Sequence, residues 1–153
     1  MKEDVLFRIF EVARGFNKRV LLVLVFGSSV YNPRRARDID LIIVIDKLLD
    51  IREKVELEVA VRKALKEIDC RVIYDVLVFD IESFFENASP GAVVSGVVAG
   101  YRVLHDEIGF EEIVEKIALS VLRDKPIIYK EGKRLGLALH AERLLRKPRS
   151  LIR

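Results

Sequence analysis

The chain has 153 residues, of which 51% are hydrophobic and 33% charged, a balance that excludes a disordered protein and predicts one globular unit with a real core. A single cysteine, Cys70, excludes an internal disulfide, and two distant histidines, His105 and His140, argue against a zinc site. Net charge is only +3, but residues 129–153 hold eight Lys or Arg against two acids, so a +6 tail follows a −3 remainder.

In chain order, Met1-Lys2-Glu3-Asp4 opens a mixed polar helix and not a signal peptide. With no apolar run of roughly 20 residues to span a bilayer, no membrane partner is expected. A reducing cytoplasm is the expected compartment. Val5, Leu6, Ile9, Val12, Ala13 and Phe16 recur at helical spacing, so residues 2–16 form an amphipathic helix that Gly15 and Asn17 end. Residues 19–26 read as an apolar strand buried on both faces. Gly27 follows directly, where glycine permits a sharp turn and close approach of a ligand. A short helix starting after Ser28 would turn free N–H groups outward, where they attract phosphate, and Ser28 can add its hydroxyl.

Residues 29–37 are a polar connection, and residues 39–45 a second apolar strand. Its opening carries Asp38 and Asp40, which leave the sheet on one face because side chains alternate along a strand. Like charges so close repel each other, and beside the run Leu41-Ile42-Ile43-Val44-Ile45 they would be poorly solvated. A divalent cation relieves both problems, and oxygen-only ligands suit Mg²⁺, with Mn²⁺ able to substitute.

Residues 51–68 form a long helix with a stripe of Leu57, Val61, Ala64, Leu65 and Ile68. Residues 71–79 are a third strand, rich in β-branched side chains. Asp75 interrupts it, and an unpaired carboxylate buried there would be costly. Cys70, beside this strand, reads as a small buried hydrophobe and not as a catalytic thiol. Asp80 ends the strand and reads as the N-cap of a following helix. In the run from Gly91 to Gly100, Gly96 and Gly100 fall on one helical face. That face suits either a tightly packed core helix or a homodimer contact. Residues 101–107 lead to a helix at 111–123, which Pro126 breaks. A short apolar stretch at 127–129 precedes a last helix at 133–146, ended before Pro148. The basic tail suits nucleic acid or an acidic partner, and equally a solvated helix face. The absence of Gln, Thr and Trp, with abundant Lys, Arg, Glu, Ile and Val, fits a thermophile's protein.

Phe26-Gly27-Ser28, the spacer from Ser29 to Arg37, and Asp38-Ile39-Asp40-Leu41 together resemble the signature of the DNA polymerase β-type nucleotidyltransferase superfamily, most of all its small prokaryotic minimal members. The resemblance spans residues 1–105. It departs from small members at Val30-Tyr31-Asn32, where Ala-Arg-Gly or Ala-Tyr-Gly is common, and at Arg37, where Ser is common. It implies an α+β fold, a mixed β-sheet flanked by α-helices, with residues 106–153 as a C-terminal helical appendage within one compact unit. It also implies a third carboxylate on a strand after the long helix, a place that Asp75 matches and for which Asp80 is the alternative. The implied activity is transfer of a nucleoside monophosphate from a nucleoside triphosphate to a hydroxyl acceptor in protein, RNA or a small molecule. Asp38, Asp40 and Asp75 would serve as metal ligands and catalytic groups of a two-metal Mg²⁺ site. Gly27, Ser28 and Ser29 would bind the nucleotide, with Arg34, Arg35 or Arg37 available to triphosphate charge. Two other readings stand beside it: a weakly active or inactive antitoxin-like partner that binds a helical protein, and a nucleic-acid-binding protein using the tail. Arg134 and His140 also fit the Arg-to-His spacing of a helical ribonuclease family. Too little chain remains for that domain, and a surface arginine with a half-buried histidine accounts for the pair.

Overall fold

The structure is a computed structural model that describes residues 2–34, 38–47, 50–124, 127–130 and 133–146, with backbone alone for 127–130 and 133–135. Helix α1 (Lys2–Gly15) buries Val5, Ile9 and Ala13, the stripe expected from its spacing. Asn17, at φ 55°, takes the left-handed conformation after it. The Lys18 N–H then bonds back to the Ala13 carbonyl at 2.9 Å, which closes the helix end. The chain continues through β1 (Val20–Phe26), α2 (Ser28–Tyr31), β2 (Asp38–Ile45), α3 (Ile51–Lys66), β3 (Ile73–Asp80) and α4 (Ile81–Glu86). A 3-10 helix (Val93–Ala99), β4 (Tyr101–Asp106), α5 (Phe110–Asp124), the hairpin β5 (Ile127–Lys130) and β6 (Lys133–Gly136), and α6 (Leu137–Arg146) complete it.

The main sheet has strand order β3-β2-β1-β4. Strand β1 is antiparallel to β2 and β4, whereas β2 and β3 are parallel and joined through α3. The expected α+β architecture, a mixed sheet flanked by helices, is therefore the one observed. Alternation along the strands divides the core. Val23, Val25, Leu41, Ile43, Val76 and Val78 pack with α1 and α3 on one face. Leu22, Leu24, Phe26, Ile42, Val44 and Phe79 pack on the other with the 3-10 helix, α5 and α6. Among the described residues no helix is long and apolar enough to cross a membrane.

Edge strand β3 is covered by side chains at Val78. Glu58, which is buried, accepts from the Val78 N–H at 3.1 Å, while the Lys54 ammonium donates to the Val78 carbonyl at 2.8 Å and also bonds Glu58. These contacts occupy both backbone groups of Val78 on this edge, which would otherwise be open to pairing with another chain. Glu58→Ala should leave a buried N–H unsatisfied and lower the unfolding free energy by about 2 kcal/mol, measured by urea denaturation. An unchanged midpoint and slope would refute this role.

Several expectations are corrected. Cys70 is exposed, because it lies in the turn before β3 and not against the core. The third strand starts at Ile73 and not at residue 71. The glycine-rich run is a 3-10 helix with Gly100 beyond its end. Gly96 and Gly100 therefore do not share a helical face, and Gly100 instead packs within the chain. The last helix starts at Leu137, and residues 133–136 are a strand. Arg134 and His140 thus sit on different elements, so the helical ribonuclease pattern does not hold. Arg35, Arg37 and residues 147–153 of the basic tail lie outside the described residues.

Candidate nucleotide and metal site

The site starts where β1 ends. Gly27 adopts φ 77° and ψ −155°, a conformation open to glycine and strained for other residues. It caps α2, with the Val30 N–H bonded to its carbonyl at 3.0 Å. The N–H groups of Ser28 and Ser29, in the first turn, have no carbonyl one turn back to bond. The Ser29 hydroxyl turns inward to the Phe26 carbonyl at 3.4 Å. The Gly27 N–H is itself engaged by the Gly100 carbonyl at 3.3 Å, so Gly27 contributes shape to the turn and not a free donor. A Cβ added to Gly100 would stand 3.4 Å from the side chains of Val30 and Tyr31. Gly100 therefore braces α2 from below, a role with no signal in the sequence beyond its place in a glycine-rich run.

Strand β2 then brings the carboxylates back to this turn. In the antiparallel β1–β2 pair, Asp40 lies opposite Phe26, the residue before Gly27. In the parallel β2–β3 pair, Asp40 lies beside Asp75 and Asp38 beside Ile73. Register partners share a sheet face, so Asp38, Asp40 and Asp75 project from the same one. Neighbouring strands lie about 4.8 Å apart, and residues two apart on a strand about 6.6 Å. Asp40 is buried, Asp38 half-buried and Asp75 exposed. The exposure of Asp75 corrects the expectation of a buried, costly charge. On its face the apolar cluster begins only at Leu77 and Phe79, so water reaches Asp75, while Tyr74 and Val76 beside it are buried on the other face.

Asp80 is not an alternative member of this group. It pairs with Ile45 at the far end of β2, roughly 16 Å along the strand from Asp75. There its carboxylate accepts from the Ser83 N–H at 2.8 Å and caps α4, as its sequence position suggested.

The donor chemistry fits a hard divalent cation: three carboxylates on two adjacent strands, with oxygen as the only ligand atom. Among the described residues, no three His, Cys, Asp or Glu side chains are already drawn together as a metal cage. Gathering Asp38, Asp40 and Asp75 round an ion therefore requires carboxylate rotation on a fixed backbone. Arg34, on the connection after α2, is exposed.

No family model matches the sequence, and no curated protein matches it. Solved structures do. One chain of the tri-AMPylated Shewanella oneidensis HEPN toxin in complex with MNT antitoxin aligns at a TM-score of 0.51 and 20% identity, over 81% of this chain and 88% of that one. One chain of a toxin–antitoxin complex with AMP-PNP aligns at 0.51 and 21% identity, over 77% and 86%. At this level of identity the likeness shows a shared fold.

Proposed function

We propose that this protein is a nucleotidyltransferase that moves a nucleoside monophosphate from a nucleoside triphosphate to a hydroxyl acceptor. The observation that carries the reading is the register. Asp38, Asp40 and Asp75 share one sheet face, and Asp40 stands opposite the residue that enters the Gly27 turn. Structures of the same fold add support: one belongs to a complex whose toxin is tri-AMPylated, the other to a complex with AMP-PNP. Residues 1–105 would carry the chemistry, with residues 106–153 as an appendage against it.

Each group then has a role. The Ser28 and Ser29 N–H groups, with the Ser28 hydroxyl, hold the outer phosphates. The acceptor oxygen attacks the α-phosphorus, the bond from that phosphorus to the bridging oxygen breaks, and pyrophosphate leaves. Asp75, the most exposed carboxylate, takes the proton from the acceptor hydroxyl as general base. Asp38 and Asp40, with Asp75 sharing, would hold Mg²⁺, which when bound supplies positive charge to the phosphate oxygens. The acceptor in this reading is a hydroxyl of a partner protein, since both structural relatives belong to two-protein complexes.

The test is incubation with α-labelled and, separately, γ-labelled triphosphates, Mg²⁺ and candidate protein and RNA acceptors. The α-label should appear on an acceptor and the γ-label in released pyrophosphate. Transfer of the γ-label, or an absence of both transfer and Mg²⁺-dependent triphosphate binding, would overturn the reading. Salt-sensitive RNA binding without transfer would instead favour the nucleic-acid-binding alternative.

A further inference from the structure

A cavity of about 230 Å³ opens between the N-terminal turn of α1 and the main sheet. Val25 of β1, Ile39 and Leu41 of β2 and Leu104 of β4 make its apolar floor, and Val5 of α1 adds to the wall. Val5, Val25, Leu41 and Leu104 belong to the apolar cluster on the α1 and α3 face of the sheet. Ile39 stands between Asp38 and Asp40, and Tyr74, which also lines the cavity, precedes Asp75. Strand alternation sends Ile39 and Tyr74 to the face away from the three carboxylates. The cavity is therefore no part of the carboxylate site.

Three polar side chains complete the lining: Lys2 of α1, Tyr74 of β3 and Arg102 of β4. Tyr74 is only 5% exposed, and a buried tyrosine hydroxyl ordinarily has a hydrogen-bond partner. Among the described residues none bonds this hydroxyl, and none pairs with the Lys2 ammonium or the Arg102 guanidinium. Burial, with the Asp69 charge adding to it, raises the Tyr74 pKa, so the hydroxyl keeps its proton and can donate. Among the described residues no carboxylate lines the cavity. Two positive charges and one hydroxyl donor thus surround an apolar floor.

These features select the occupant. Lys2 and Arg102 repel a cation. A carboxylate accepts from guanidinium, ammonium and hydroxyl alike, and its single charge costs less to take from water than the double charge of a phosphate ester. The volume is that of roughly eight waters at about 30 Å³ each, which suits a molecule of about eight non-hydrogen atoms. We propose that this cavity binds a small carboxylic acid with an apolar body, its carboxylate on Lys2, Arg102 and Tyr74 and its body on the floor of Val25, Ile39 and Leu41. The inference does not depend on the nucleotidyltransferase reading.

Heteronuclear NMR titration of the full chain with hexanoate tests it, with hexylamine and acetate as comparison ligands. Hexanoate should shift the amide signals of Val25, Leu41, Tyr74 and Leu104 in a saturable way. Hexylamine keeps the body and reverses the charge, whereas acetate keeps the charge and lacks the body. Each should bind at least about tenfold more weakly than hexanoate. Lys2 and Arg102 are exposed, so Lys2→Gln and Arg102→Gln should fold normally. Each should weaken hexanoate binding about tenfold, the loss of one charge-assisted hydrogen bond. Tyr74→Phe should weaken it about fivefold. No saturable shift with hexanoate, equal affinity for hexylamine or acetate, or full hexanoate affinity in both Gln variants would overturn the inference.

Discussion

Asp40→Asn should abolish Mg²⁺-dependent nucleotidyl transfer, lowering it by about a thousandfold or more, the loss expected when several kcal/mol of charge stabilisation is removed. Asp38→Asn should do nearly the same. Asn keeps the shape of Asp but gives up the charge, so the fold should survive both changes. Asp40 is the more telling position, because it is buried between Phe26 and Asp75 in the sheet register. Calorimetric titration with Mg²⁺ and Mn²⁺, beside circular dichroism to verify folding, measures the effect without reliance on a known acceptor. Metal affinity equal to that of the wild type in both variants would remove the site assignment.

Asp75→Ala should separate chemistry from binding. As general base, Asp75 is worth about a hundred- to ten-thousandfold in rate, yet the triphosphate would still be held by the Ser28 and Ser29 turn and by Asp38 and Asp40. Transfer should therefore collapse while ATP affinity changes little. Because Asp75 is exposed, its removal should shift unfolding free energy by no more than about 0.5 kcal/mol. Asp75→Asn should lose transfer as fully as Asp75→Ala, since neither side chain can accept the proton. A variant that transfers at wild-type rate would leave a two-carboxylate site and a different base. One that loses ATP binding in parallel would limit Asp75 to holding the metal and place the base elsewhere.

The sequence by itself determined the elements whose cause is local. Unbroken apolar runs made β1 and β2 central strands, because only a strand buried on both faces can hide every side chain. Helical spacing set the buried stripes of α1 and α3. Strand alternation alone put Asp38 and Asp40 on one face, and the position of Asp80 at a strand–helix boundary marked it as a cap. The pairing of strands belongs to the tertiary structure, since it depends on residues far apart in the chain. Only the parallel register of β2 and β3 sets Asp75 beside Asp40, and only the extent of the apolar cluster on that one face leaves it in water. The same limit explains the glycine-rich run. Its composition suits a helix packed anywhere, but contact with α2 decides that it ends in an extended Gly100 that braces the Gly27 turn. It explains a ring contact too: Tyr31 and His140 are more than a hundred residues apart, and only the packing of α6 on α5 and the 3-10 helix brings their rings to 6.4 Å.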